Sequence, residues 1–497
     1  MSATRFEKIS EMSGLLYLKG NWQKSKGLHH DVINPATEVR EGSFADATPE
    51  EIEVAVASAN QAQKVWWGMS ALDRANALHQ VADLMQEYSR FTGECLTREM
   101  GKPFRESNWE GGAAASSFKY FAEIARSEQG RVAGPAIAGQ LQMVIKEPLG
   151  VVVSIVPYNF PMLLAGWQAA AALAAGNAVI IKPSELTSLT LLMWMKAFRN
   201  LPEGLVQVVT GGAEVGERLV RHPDTHAIAF TGSVPAAQKV AAAASERFKA
   251  TLIEASGNDA FIVMPSTNVK VAARGGAFAA FLNCGQVCTS AERFYVHEDI
   301  YEEFVAELAD QARALRVGNG LEKVEIGPMA SARELARFEK IIEAAKVDGA
   351  EVVCGAARLN RESGYFYQPT VLKVSPRNSI MRGECFGPVA PVAKVKSLDE
   401  AIRLTNDSQL GLGANIYTES LEEAFRAVNE IETGIVWVNT PLNDNDAVPF
   451  GGRKFTGTGR ELGVEGLEQF RRSKMVMIAP KAEADPEWFP YPDDEAF

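Results

Sequence analysis

From residue 141 onward, short apolar runs rich in β-branched residues alternate with segments whose apolar residues recur at helical spacing. The runs at 141–145, 151–156, 178–181, 206–209, 227–230 and 251–253 read as strands. From 151 on, the segments 162–174, 189–198, 215–220 and 235–244 between them read as helices. Repeated β-α units predict a parallel sheet covered on both faces, with ligands at the carboxyl ends of its strands. A second α/β series begins at residue 261, with strands at 261–264, 294–297, 351–354, 389–395, 415–417 and 435–438. Helices at 269–281, 301–315, 332–346, 398–406 and 421–430 connect them. Ahead of both series lies a front section. Its residues 1–50 are short turn-rich pieces, and Thr48-Pro49-Glu50-Glu51 reads as a helix start. Helical spacing then continues to Met100, Gly101-Lys102-Pro103 interrupts it, and a further helix follows over 105–124. The pattern predicts two α/β units joined near residues 254–259.

Composition changes this picture little. A chain of 497 residues suits two or three domains at ~150 residues each. Its 46% hydrophobic and 23% charged residues are those of an ordinary globular protein. The net charge of −12 argues against a nucleic-acid surface, which needs clustered Lys and Arg. Five cysteines, at 95, 284, 288, 354 and 385, are dispersed without C-x2-C pairs, which predicts reduced thiols. The six histidines show no ligand spacing near Cys284 and Cys288, so no metal site is expected. With no apolar leader-like start and no run of 18 or more apolar residues, the expected location is cytoplasmic, without a membrane partner.

The candidate chemistry centres on FLNCGQVCTS, residues 281–290, where Gly285 and Gln286 interrupt a helical pattern and set Cys288 on a turn. Most free cysteines are small buried hydrophobes, so the stretch gains weight only from its surroundings. Glu254 ends the last strand of the first series, where a carboxylate is either solvated or functional. Asn159, in PYNFP, carries an amide able to donate to an oxyanion, or serves as an ordinary turn residue. Nucleophile, base and amide donor make an acyl-transfer site if the fold brings them together. For a cofactor, the G-x-G-x-x-G fingerprint is absent after 151–156. Instead Gly211-Gly212 through Gly216 and Phe230-Thr231-Gly232-Ser233 follow later strands. Such glycines are usually turns, yet a strand end that is also a helix N-terminus can hold a pyrophosphate. Lys182-Pro183-Ser184-Glu185 either solvates the next helix or bonds ribose hydroxyls; in the second case the Glu185 charge repels a 2′-phosphate and favours NAD over NADP.

From INPAT at Ile33 to SKMVMI at Ile478, the chain resembles the NAD(P)-dependent aldehyde dehydrogenases. The ordered motifs are PYNFP, GNAVIIKPSE, FTGS, LIEASGND, GQVC, ECFGPV and PFGGRKFTGTGRELG. The resemblance implies a Rossmann-like cofactor domain over 1–129 and 147–255 and a catalytic domain over 256–471. A small β oligomerisation element with the C-terminal tail, 130–146 and 472–497, completes a homodimer or homotetramer. It implies Cys288 as nucleophile, Glu254 as the base that activates water, and Asn159 with the Cys288 N–H as oxyanion hole. The cofactor it implies is NAD, in preference to NADP, held by Lys182, Ser184 and Glu185, by Gly211, Gly216, Phe230, Gly232 and Ser233, and at the nicotinamide ribose by Glu384 and Phe386. By family position the substrate pocket includes Phe160, Leu164, Trp167, Leu282, Cys284, Val287, Thr289, Asn443 and Asp444. The expected reaction is oxidation of an aldehyde to the carboxylic acid by NAD and water, through a Cys288 thiohemiacetal and thioester. The alternatives are a CoA-acylating semialdehyde dehydrogenase, whose relatives usually lack a carboxylate at the Glu254 position, and a non-catalytic protein of the same fold. Asp444 with Asn443 and Asn445 either recognises a polar or cationic aldehyde or forms a solvated entrance loop. Gln168 and Asn258 stand where the family often has lysine, Tyr158 where it has tryptophan, and Ala237 where it has glycine. The tail 484–497 is either disordered or packs Trp488, Phe489 and Tyr491 against a neighbouring subunit.

Overall fold

Five runs of the first series pair in parallel, in the order Val206–Val208, Ala178–Lys182, Val151–Ile155, Ala227–Thr231, Ala250–Glu254. The chain builds outward on one side of Val151–Ile155 and then crosses to the other, so the order reverses between Val151–Ile155 and Ala227–Thr231. Such a reversal opens a crevice at the carboxyl ends, because the two following connections leave in opposite directions. The computed structural model describes residues 8–127, 130–483 and 488–489.

The second sheet runs Glu351–Cys354, Thr370–Val374, Val389–Val395, Ala291–His297, Asp259–Val263, Gly413–Tyr417, Ile435–Val438, parallel except at its first pair. Thr370–Val374 is absent from the sequence reading. It follows Pro369 in a stretch rich in turn residues, so its run reads as part of a loop.

Three further differences bear on the site. The turn-rich front holds a hairpin, Leu15–Leu18 with Asn21–Lys24, that extends the first sheet antiparallel beyond Val206–Val208. The front helix is two helices, Pro49–Gly68 and Ala71–Met100, capped by the Thr48 and Ser70 hydroxyls on the N–H groups of Glu51 and Asp73. The run at 141 leaves the parallel series. Leu141–Pro148 pairs antiparallel with Arg471–Ile478 and Gly130–Ala133 in a three-stranded sheet. Its edge strand Arg471–Ile478 exposes Met475, Met477 and Ile478. Trp488 and Phe489 are also exposed, and Tyr491 lies outside the described residues.

Helix Pro161–Ala174 is buried on every side, as its apolar composition requires. It starts two residues after Asn159 and runs beneath the first sheet's crevice. From the far end of the chain, Gly457–Thr458 pairs with Ile253 and Glu254, so the last loops cover the Glu254 strand end.

Candidate active site

A cleft of about 920 Å³ opens at the crevice. Its walls include Lys182, Ser184, Glu185, Gly216, Phe230, Gly232 and Ser233, together with Asn159, Glu254, Cys288, Glu384 and Phe386. Gly211 is not on the wall. Its φ of 144° would put a Cβ 2.4 Å from Val215, and the next N–H, of Gly212, is held by Asp46 Oδ1 at 2.9 Å.

The turn that carries Cys288 is unusual backbone. After helix Val269–Phe281, three successive residues, Asn283, Cys284 and Gly285, adopt left-handed φ of 49°, 58° and 71°. Asn and Gly tolerate this region, whereas Cys284 is strained there. Gln286 pins the turn: its Nε2 donates to Asn283 O at 3.0 Å, and its Oε1 accepts from Ala330 N at 3.0 Å. Gly257 then brings Glu254 to the turn. A Cβ there would lie 1.9 Å from the Cys288 carbonyl oxygen, so only glycine permits the two segments to touch.

Both Glu254 carboxyl oxygens are buried without a hydrogen-bond partner. Burial, then the charges of Glu461 and Glu384, raise its pKa well above the ordinary carboxyl range. The half-buried Cys288 thiol lies close enough to oppose that rise while falling short of a full hydrogen bond. Burial likewise lifts the Cys288 thiol, assisted by Glu254, Asp259, Glu384 and Asp444. Asn159 is buried, its Oδ1 is unpartnered, and its carbonyl accepts from Asn283 Nδ2 at 3.3 Å. The structure therefore gathers a thiol, a carboxyl and an amide from three elements around one end of the cleft.

Along the cleft, Lys182 Nζ bonds its neighbour's carbonyl, Pro183 O, at 3.0 Å, and burial lowers its pKa to about 8 against the pull of Glu185 and Asp46. Helix Val234–Ser245 begins at Ser233 with no side-chain cap; Pro235 has no N–H to offer, which leaves those of Val234 and Ala236 to face an anion. Glu384 Oε1 accepts the Gly257 N–H at 3.3 Å, and burial raises Glu384 to about 7. Phe386 has φ 49° and is fixed by its N–H to Glu292 Oε1 at 2.7 Å. Arg333 and Arg337 also line the cleft, and Arg337 Nη2 bonds Cys385 O at 2.8 Å. Neither was legible beforehand, because two arginines four apart on an amphipathic helix read as a solvated face.

The residues that depart from the family pattern have partners. Gln168 accepts from Ser154 Oγ at 2.6 Å and donates to Thr231 Oγ1 at 3.0 Å and to Glu461 Oε1 at 2.8 Å. Burial raises Glu461 to about 7 despite that bond. Asn258 Nδ2 donates to Gly383 O at 2.8 Å and to Glu292 Oε2 at 3.3 Å. Tyr158 stands edge-on to Phe386 at 5.9 Å, its hydroxyl buried and unpartnered. Ala237 packs in a small cluster with Phe230, Ile253 and Ala255.

A second cleft of about 630 Å³ is lined by Trp109, Leu163, Trp167, Asp444, Asn445 and Asp446, among others. Asp446 is tied to Ser116 Oγ at 2.5 Å and Ser117 Oγ at 2.6 Å. Asp444 is at the surface yet recessed among protein atoms, which with Asp446 raises its pKa to about 6. Of the other expected pocket residues, Phe160, Leu164, Cys284, Val287 and Thr289 are buried and Leu282 is half-buried, and none lines either cleft. The Phe160 ring lies under Lys102 Nζ at 3.5 Å, and Cys284 Sγ faces Met329 Sδ at 3.8 Å. Asn443 is exposed, with its carbonyl accepting from Trp437 Nε1 at 3.0 Å.

A thiol and a carboxyl facing a cleft at a topological switch point define the class of an α/β enzyme whose reactive groups sit where such sheets bind their ligands. Residues 22–476 match the model of the aldehyde dehydrogenase family, and the chain belongs to that family of aldehyde-oxidising enzymes. It is 36% identical to aminoaldehyde dehydrogenase 1, peroxisomal, of Malus domestica, over 93% of this chain and 95% of that one. It is 35% identical to the NADP(+) succinate-semialdehyde dehydrogenase of Escherichia coli (strain K12), over 93% and 97%. The crystal structure of betaine aldehyde dehydrogenase from Staphylococcus aureus in complex with NAD+ superposes with a TM-score of 0.92 at 29% identity, covering 96% of this chain and 97% of that one. Relatives thus divide between NAD+ and NADP+. Among the described residues no helix is long and apolar enough to cross a membrane.

Proposed function

We propose that this enzyme oxidises a polar or cationic aldehyde to its carboxylic acid with NAD and water, Cys288 carrying the acyl group. The observation that carries the reading is the convergence of Cys288, Glu254 and Asn159 on one cleft wall, with Glu254 buried and unpartnered beside the thiol. Bound NAD supplies the hydride acceptor. Lys182, Ser184 and Glu185 hold its adenosine ribose, Glu185 disfavouring a 2′-phosphate by charge; Gly232, Ser233 and the free helix start behind them hold the pyrophosphate, and Glu384 and Phe386 its other ribose. Gly216 and Phe230 shape the same wall, and Gly211 sets the turn behind it. The unit formed by 1–129 and 147–255 binds the cofactor, 256–471 carries the thiol, and 130–146 with 472–497 joins copies into an oligomer. The compartment is cytoplasmic, in keeping with five free cysteines.

The Cys288 sulfur attacks the aldehyde carbon as its proton leaves to solvent water, and the alkoxide of the thiohemiacetal is held by the Asn159 amide and the Cys288 N–H; Glu254 stays free to serve as base in the hydrolysis, after which it returns its proton to the departing sulfur. Each such donor typically contributes roughly 100- to 1,000-fold in rate. Loss of hydride leaves a thioester on Cys288. Glu254 then takes a proton from water, which adds to the thioester carbonyl; the acid departs and the thiol is restored. General-base help of this kind contributes ~100- to 10,000-fold. The carboxyl at position 254 favours water over CoA as acceptor, and the intact trio argues against a non-catalytic role.

For the substrate, Trp109 and Trp167 offer aromatic faces, Asp444 and Asp446 offer negative charge, and no Lys or Arg lines that cleft. NADH formation is measured with a panel of amino-, quaternary ammonium and carboxylate-bearing aldehydes, with and without CoA and with NAD or NADP. The expected outcome is CoA-independent turnover with NAD, preference for the cationic members, loss of all turnover in Cys288→Ala, and a KM for cations raised roughly tenfold in Asp444→Asn. A CoA requirement would reject the hydrolytic reading, and equal use of cationic and anionic aldehydes would reject the substrate class.

A further inference from the structure

One helix carries charged groups for which the chemistry above has no use. Lys102 precedes helix Phe104–Ser127, whose first turns present Glu106 and Glu110 one turn apart. The side chains of Lys102 and Glu110 are wholly buried, with Nζ 2.6 Å from Oε2. The other Glu110 oxygen accepts the N–H groups of Met162 at 2.7 Å and Leu163 at 3.1 Å. Helix Pro161–Ala174 requires such an acceptor from elsewhere, because its flanking residue Phe160 has no side-chain oxygen to cap it. Asn159 is the residue just before that start. Glu106 works on the opposite partner: its Oε2 accepts the Asn283 N–H at 3.0 Å, at the first of the three left-handed residues that lead to Cys288. Asn283 Nδ2 donates to the Asn159 carbonyl at 3.3 Å, which joins the two ends. Lys102 is the shared cation, interacting with both glutamates and lying over the Phe160 ring.

Strained left-handed backbone at a non-glycine residue persists only where the surroundings fix it more than once. Here Glu106 and Gln286 do so for the turn, and Glu110 does so for the helix start. We propose that Lys102, Glu106 and Glu110 form a positioning cluster that holds the Asn159 amide and the Cys288 turn in register, so that acylation depends on residues touching neither substrate nor cofactor. The inference rests on Cys288 and Asn159 having the roles assigned above. None of the three charged residues lines the cofactor cleft, so NAD affinity is independent of them.

The test is the rate of the first-turnover NADH burst, followed by stopped flow with an aldehyde the unmodified enzyme oxidises, alongside the Kd for NAD. Glu106→Ala slows the burst by roughly 10- to 100-fold, since a misplacement near 1 Å can cost that much, while the Kd stays within about twofold. Glu106→Gln keeps an acceptor oxygen and recovers most of the rate. Asn283→Gly accepts the left-handed backbone and loses the amide links to the Asn159 carbonyl and, within the turn, to the Gln286 carbonyl; it also slows the burst, and it serves if Glu106→Ala fails to fold. An unchanged burst in Asn283→Gly and Glu106→Ala, equal slowing in the Ala and Gln variants, or NAD affinity falling in step with the burst would overturn the cluster's role. A burst surviving in Cys288→Ala would instead overturn the underlying chemistry, whatever the cluster variants do.

Discussion

At the scale of single residues, Cys288 and Glu254 both rest in an unready state. Both sit where burial disfavours charge, and Glu254 raises the Cys288 pKa further by proximity, while the thiol only partly offsets the rise at Glu254. The thiol is therefore protonated at neutral pH in the cofactor-free enzyme, and only the thiolate is strongly nucleophilic. Alkylation of Cys288 by iodoacetamide, followed by peptide mass spectrometry, is expected to be slow at pH 7 and still rising at about pH 9, beyond the ordinary thiol value of ~8.5. A plateau reached below that value would contradict the assignment. The residue types of this site were legible in the sequence, because a cysteine on a glycine turn and a glutamate ending a strand are both local signals. Gly257 was not. Its need for a bare Cα comes from the Cys288 carbonyl 31 positions later, and no local pattern encodes that approach.

At the scale of elements, the parallel core was legible because each strand is a compact run of β-branched residues between helical segments. What the apolar pattern missed depended on partners remote in sequence: the front hairpin that extends the sheet, the 141 run, which only the family resemblance set beside the C-terminal strand, and the helix starts capped from a distance. Glu99 shows the last point. It ends helix Ala71–Met100 and accepts the N–H groups of Leu189 at 2.8 Å and Thr190 at 2.7 Å, starting helix Ser188–Trp194, whose flanking Thr187 makes no cap. Burial raises Glu99 from the ordinary carboxyl value of 4.5 to about 7, although the Thr190 hydroxyl and both N–H groups pull it down. The folded state thus binds a proton that the unfolded chain releases. The stability this contributes is fully present below about pH 4.5 and is lost as pH rises through about 7. Glu99→Gln cannot titrate, so its Tm deficit against the unmodified protein should shrink between pH 5 and pH 8, as read by calorimetry at both values. Parallel Tm curves would show that the carboxyl does not titrate in this window.

At the scale of the whole molecule, the site exists only because two α/β units meet. The first contributes Asn159 and Glu254 at the ends of its parallel strands, and the second contributes Cys288 on the turn before Ala291–His297. The last loops of the chain close over the join through Gly457–Thr458. Hydrolysis of an acyl group on the thiol of one unit is thereby assigned to the carboxyl of the other. The most direct measurement is mass spectrometry of Glu254→Gln quenched within seconds of mixing with NAD and an aldehyde that the unmodified enzyme oxidises. The account predicts one equivalent of NADH and an acyl group, the aldehyde less one hydrogen, replacing the thiol hydrogen on the peptide that contains Cys288. Steady turnover like that of the unmodified enzyme, with Cys288 free of any adduct, would contradict it.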